Sequence, residues 1–153
     1  METLIEQQKL IGIGYEGQNV DEFVARLTGS GTLILTDIRL NPISRKQGFS
    51  KRLLAASLAE AGIGYWHAPE LGNPKWNRAG FGGSPAEVLA ARERFALMIA
   101  NETAGMRLDE IADAAITGAV AVMCFEADER ACHRYVVLNE LHRRLALCRA
   151  SAA

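Results

Sequence analysis

The chain has 153 residues, of which 49% are hydrophobic and 23% charged, and it carries a formal net charge of −1. That size and balance fit one globular domain with its own core and exclude a disordered chain. The near-neutral total excludes a protein that grips nucleic acid with its whole surface, so any nucleic-acid or other anionic partner would have to be held by a local patch. No apolar run reaches the roughly 18 residues of a membrane span, and residues 1–9 lack the basic and apolar regions of a secretory signal, so a cytoplasmic protein without a membrane partner is expected. Three cysteines, an odd number, fit a reducing compartment better than a disulfide framework.

In chain order, residues 9–15 read as a first strand, apolar and interrupted by glycine. Glu16-Gly17-Gln18-Asn19 is a polar turn, and residues 20–27 form a helix that Asn19 caps. Gly29-Ser30-Gly31 ends it, and the β-branched run 32–38 is a second, buried strand. Loop chemistry over 41–49 leads to a helix capped by Ser50, running through Ala61 and closed by Gly62. Residues 63–67 are a third strand, followed by a glycine- and proline-rich loop over 68–84, long enough to expect a functional or mobile role. Ser84-Pro85-Ala86-Glu87 is a strong helix start, with a hydroxyl cap, proline at the first position and glutamate at the third; that helix runs to about Asn101. Residues 102–118 mix apolar and polar positions without a clear boundary. Residues 119–124 form a fourth strand, followed by the acidic turn 125–131 and a final helix opened by Cys132-His133-Arg134.

Strands alternating with helices predict an α/β fold: one three-layer domain over 1–153, its core about 10–147, its termini frayed, with a mostly parallel sheet of four strands covered by helices on both faces. Right-handed crossovers then gather the loops after the strands at one edge, where open α/β sheets keep their ligands.

Several motifs fall on that edge in order: Gly14-Tyr15-Glu16-Gly17, Asp37-Ile38-Arg39, Pro42-Ile43-Ser44-Arg45, Gly48-Phe49-Ser50, Glu70-Leu71-Gly72, Cys124-Phe125-Glu126 and Cys132-His133-Arg134. On these the chain, over roughly residues 10–145, resembles the domain of unknown function 488 family of small bacterial α/β proteins. The resemblance implies a candidate site at these positions and no reaction.

The chemistry of the residues points to an anion. The last helix presents free N–H groups and the positive end of its dipole beside Arg134, while Arg39 and Arg45 belong to a basic stretch without acids. Tyr15, Asp37, Arg39, Ser44, Arg45, Glu70, His133 and Arg134 are therefore candidate ligand-binding residues for a phosphate or nucleotide-like molecule. Glu16, Glu126, Cys132 and His67 are candidates for proton transfer or nucleophilic attack. Asp37 has an equally plain reading as the partner that holds Arg39. Arg134, on a solvent-facing helix start, is expected to support little core, so that Arg134→Ala weakens ligand binding and leaves the melting temperature nearly unchanged. Cys132 at a helix start beside His and Arg has the setting of a lowered thiol pKa, and Cys124, a small core residue at a strand end, could approach it. Cys148 has no assigned role. The Cys-x7-Cys-His spacing is not one that zinc sites require, so neither metal nor cofactor is expected. No Walker loop, complete dinucleotide fingerprint or serine-hydrolase elbow is present, and Gly12-Ile13-Gly14 lacks the third glycine. Three functions stay open: a hydrolase or transferase on an anionic substrate, a non-catalytic module binding an anion or nucleic acid, and a thiol redox protein.

Overall fold

The structure is a computed structural model that describes residues 10–152; the expectations for residues 1–9 lie outside it. Its elements are β1 (Leu10–Gly14), α1 (Val20–Gly29), β2 (Ile34–Asp37), α2 (Lys51–Glu60), β3 (Gly64–His67), α3 (Pro85–Met98), α4 (Glu102–Thr117), β4 (Val120–Cys124) and α5 (Arg134–Ala152). The four strands form one parallel sheet in the order β1-β4-β2-β3, as the alternation of strands and helices predicts. None of the helices among the described residues is long and apolar enough to cross a membrane.

β4 lies between β1 and β2, and its sequence Val-Ala-Val-Met-Cys is buried throughout. Side chains alternate along a strand, so a strand covered on both faces must be apolar at every position. Ala121 and Met123 pack with Phe23 and Leu27 of α1 and Leu54 and Leu58 of α2. Val120, Val122 and Cys124 pack on the other face with Phe95 of α3, Leu108 and Ile111 of α4, and Val137 and Leu141 of α5. The result is the expected three layers.

Local signals place most helix starts. Asn19 Oδ1 accepts the Glu22 N–H at 2.8 Å and Glu22 accepts the Asn19 N–H in return. Ser84 and Glu87 make the same reciprocal pair. Ser50 precedes α2 without capping it; its hydroxyl accepts the Ser44 N–H at 3.0 Å and donates to the Ser44 carbonyl, closing the loop after β2 on itself. The indistinct stretch after Asn101 is a full helix, α4, with buried Ala104, Leu108, Ile111, Ala112 and Ala115 at helical spacing. The long loop is not structureless: short 3-10 turns at Lys75–Asn77 and Ala79–Gly82 fold it against α3, and one at Pro69–Leu71 packs against α4. Buried Asn77 ties it down, donating to the Ala91 carbonyl and to Asn73 Oδ1 and accepting from Arg94.

The chain leaves β2 toward the α1/α2 face and leaves β4 toward the α3/α4/α5 face. The two loops part above adjacent strand ends and open a crevice between them, the place where doubly wound sheets hold ligands.

Candidate functional site

That crevice is a cavity of about 210 Å³. Tyr15 follows β1; Arg39, Leu40, Asn41 and Ile43 follow β2. Asn73, Arg78 and Phe81 come from the long loop, and Cys124, Glu126, Cys132 and His133 from the end of β4 and the approach to α5.

One wall is a fixed ion pair. The Asp37 carboxylate, fully buried, accepts Arg39 Nε at 2.9 Å and Nη2 at 2.7 Å, and also the Tyr65 hydroxyl at 2.5 Å. Arg39 Nη1 donates to the Tyr15 hydroxyl at 3.2 Å, and the Tyr15 ring stacks on Phe49 with centroids 4.4 Å apart. Burial works against the Arg39 charge, but the carboxylate beside it outweighs burial and holds the guanidinium above its ordinary value. Burial and then the bond to Asp37 push the Tyr65 phenol up, so it stays a neutral donor. Asp37 thus holds Arg39, the plainer of the two readings open to it from sequence.

The floor is sulfur. Cys124 and Cys132 are joined by a disulfide, their Cα atoms 7.6 Å apart, and both are almost fully buried. Cys132 Sγ accepts the main-chain N–H of Arg134 at 3.3 Å, and His133 Nδ1 lies 3.6 Å from it. His133 Nε2 is 3.0 Å from the Ile38 carbonyl; a carbonyl only accepts, so Nε2 carries the proton and Nδ1 presents a lone pair to the sulfur. Burial, followed by the charges of Arg78 and Arg134, pushes the imidazole down to about 4 against the opposing bond to Ile38, so it is neutral at pH 7.

Arg134 departs from expectation. It is 1% exposed, pointing under the sheet edge and not to solvent. Its Nη1 donates to the Ile13 carbonyl at 3.2 Å, the Glu126 carbonyl at 2.9 Å and Cys124 Sγ at 2.9 Å, with Glu129 Oε1 3.7 Å from Nε. Two glycines of β1 make this possible. A Cβ on Gly14 would collide with the Glu126 carbonyl, and one on Gly12 would collide with Glu129 and crowd Arg134. The Gly12-Ile13-Gly14 pattern is therefore a requirement of close packing over β1, which agrees with discounting it as a dinucleotide fingerprint.

Of the residues singled out from sequence, the cavity gathers Tyr15, Arg39, Glu126, Cys132 and His133, with Asp37 and Arg134 directly behind. The others stand outside it. Glu16 accepts the Ala127 N–H at 3.0 Å and staples two edge loops. Ser44 Oγ accepts the Lys46 N–H, and Arg45 is exposed. His67 Nε2 meets the Arg39 carbonyl at 2.9 Å. Glu70 lies 3.9 Å from Arg107. Of the edge-motif residues Tyr15, Arg45, Glu70 and Glu126, the cavity contains the first and last. Asn41, Asn73 and Arg78 line it without having been singled out; the length of the 68–84 loop was the signal for the last two. Arg78 donates Nε to the Asn73 carbonyl at 3.2 Å and has no ion-pair partner among the described residues, which leaves it the open cation at the mouth.

The sequence profile of a family described as domain of unknown function DUF488 matches residues 19–141, most of the chain. The chain belongs to that family. No curated protein and no solved structure matches it. Membership in the DUF488 family agrees with the resemblance carried by the edge motifs, and the cavity is where the Asp-x-Arg, Cys-x-Glu and Cys-His-Arg motifs of this DUF488 chain meet.

Proposed function

We propose that this protein is a thiol-dependent redox enzyme that admits a small, oxidised, anionic substrate to the carboxyl-edge cavity. The observation that carries the reading is the bonded pair Cys124 and Cys132 on the cavity floor, beside a neutral His133 and under an open arginine. In the reduced protein, the main-chain N–H of Arg134 steadies the Cys132 sulfur as thiolate beside the neutral His133. Arg78 holds the substrate's charge at the mouth. The Cys132 sulfur attacks the electrophilic atom of the substrate, and Cys124 then displaces the reduced product as the disulfide closes. Two electrons pass to the substrate, the two thiol protons leave with the product, and an external dithiol restores the enzyme.

A second reading keeps the anion and drops the electron transfer: a hydrolase, transferase or binding site for a phosphorylated or nucleotide-like ligand. The open Arg78 guanidinium favours it; Arg39 and Arg134, already engaged by protein acceptors, do not.

The test is thiol counting on fully reduced protein exposed to hydrogen peroxide or a small disulfide. The redox reading expects two thiols lost per chain, a linked peptide carrying Cys124 and Cys132, and Cys148 retained. In Cys124→Ser, oxidation should stop at a sulfenic acid or mixed disulfide on Cys132. Loss confined to Cys148, or no loss at all, refutes it and leaves the anion reading.

A further inference from the structure

We infer that the reduced form of this site holds a thiophilic divalent cation, zinc in the first place, through Cys124 Sγ, Cys132 Sγ and His133 Nδ1. The three ligand atoms lie within 4.8 Å of one another, a set that one ion can span with zinc–sulfur bonds of about 2.3 Å and a zinc–nitrogen bond of about 2.0 Å once reduction lets the two sulfurs move apart. The inference needs only free thiols and stands whether or not the pair also reduces a substrate.

Two features prepare the cluster for a cation. His133 donates Nε2–H to the Ile38 carbonyl, the outer-sphere arrangement that fixes the tautomer and aims Nδ1 as a metal ligand. Each sulfur already accepts an N–H: Cys132 from the Arg134 main chain and Cys124 from the Arg134 guanidinium. Such donors stabilise sulfur as thiolate, the form that binds metal.

Cys124, Cys132 and His133 all line the cavity, which would leave a fourth position open to it. Glu126, whose Oε2 is 3.3 Å from Cys124 Sγ, stands next to it as a base for a bound water. Three protein ligands with one open position is the pattern of catalytic, not structural, zinc. Binding displaces a proton from each thiol. A two-electron thiol oxidant such as peroxide then converts the two thiolates to the disulfide and leaves the ion without two of its three ligands, so oxidation releases it.

The experiment uses the full chain, reduced and freed of metal. Titration with cobalt(II) should give a thiolate-to-cobalt charge-transfer band and tetrahedral visible bands saturating at one ion per chain. Zinc should displace the cobalt, and peroxide should release one zinc for each pair of thiols lost. Cys148→Ser should leave the stoichiometry unchanged, whereas Cys132→Ser should diminish the charge-transfer band by one thiolate's share or lose binding altogether, with circular dichroism confirming the fold. Absence of the band in reduced wild-type protein, or a band undiminished in Cys132→Ser, overturns the inference. Metal uptake without disulfide formation would sink the redox reading alone; disulfide formation without metal uptake would sink the cation site alone.

Discussion

Arg134→Ala discriminates sharply between a surface anion ligand and a buried structural clamp. The guanidinium is 1% exposed and donates to the Ile13 and Glu126 carbonyls as well as to Cys124 Sγ. Its removal orphans acceptors at a buried strand end, at about 1–3 kcal/mol for each one left unsatisfied. Truncating so large a side chain also opens a void against Leu138 and β1, and the two effects together place the loss at about 3–5 kcal/mol. For a chain of this size that corresponds to a fall in melting temperature of roughly 6–20 °C. Urea denaturation of fully reduced wild-type and variant protein measures it with the disulfide removed as a variable. Arg134→Lys should recover little, because one ammonium cannot reach acceptors arrayed around a planar fork. A loss under about 1 kcal/mol would refute the clamp and restore the solvent-facing arginine expected from sequence.

Further outcomes follow from the same geometry. Asp37→Ala should cost about 3–5 kcal/mol, since it strands the buried Arg39 charge; calorimetry showing an unchanged midpoint would contradict the pairing. Gly14→Ala should destabilise by about 3 kcal/mol or prevent folding, because the Glu126 carbonyl occupies the space of the new methyl; soluble expression with wild-type stability would mean that the loop moves freely. His133 is held neutral with its pKa pushed down to about 4, so the unfolded chain takes up a proton first as the pH falls. Stability should therefore decline from about pH 6.5 and the decline should be complete near pH 4, amounting to about 3 kcal/mol in all. His133→Gln should flatten that part of the profile; an identical pH dependence in the variant would exclude His133 as its source.

The fold was legible because its signals are local and redundant. Alternating strands and helices, the Asn19 and Ser84 capping pairs and the unbroken apolar run of β4 each point to the same layered sheet. α4 was indistinct because its buried face is largely alanine, which contributes little to a hydrophobic stripe. The convergence of Tyr15, Arg39, Glu126, Cys132 and His133 was legible too, since strand order and crossover handedness alone bring their loops to one edge. Which polar side chains turn inward was not, because that depends on packing between elements. Glu16, Arg45, His67 and Glu70 lie near the same edge in sequence terms, yet each ends on a neighbouring loop, helix or solvent.

Arg134 shows what a one-dimensional reading lacks. A helix start with an arginine reads as an anion site whenever the space beside it is taken to be water. Here that space lies over β1, opened by the missing side chains of Gly12 and Gly14, and it is filled by the guanidinium itself with the 126–129 loop folded over it. The two glycines, the arginine and the Glu126 carbonyl form one unit spread across residues 12–134. Their joint consequence is chemical as well as structural: with Arg134 directed inward to Cys124, the positive charge acts on sulfur from behind, and the open side of the cavity is left to Arg78. The same substitution that loosens the core should therefore also alter the thiol chemistry, which a surface anion ligand would not do.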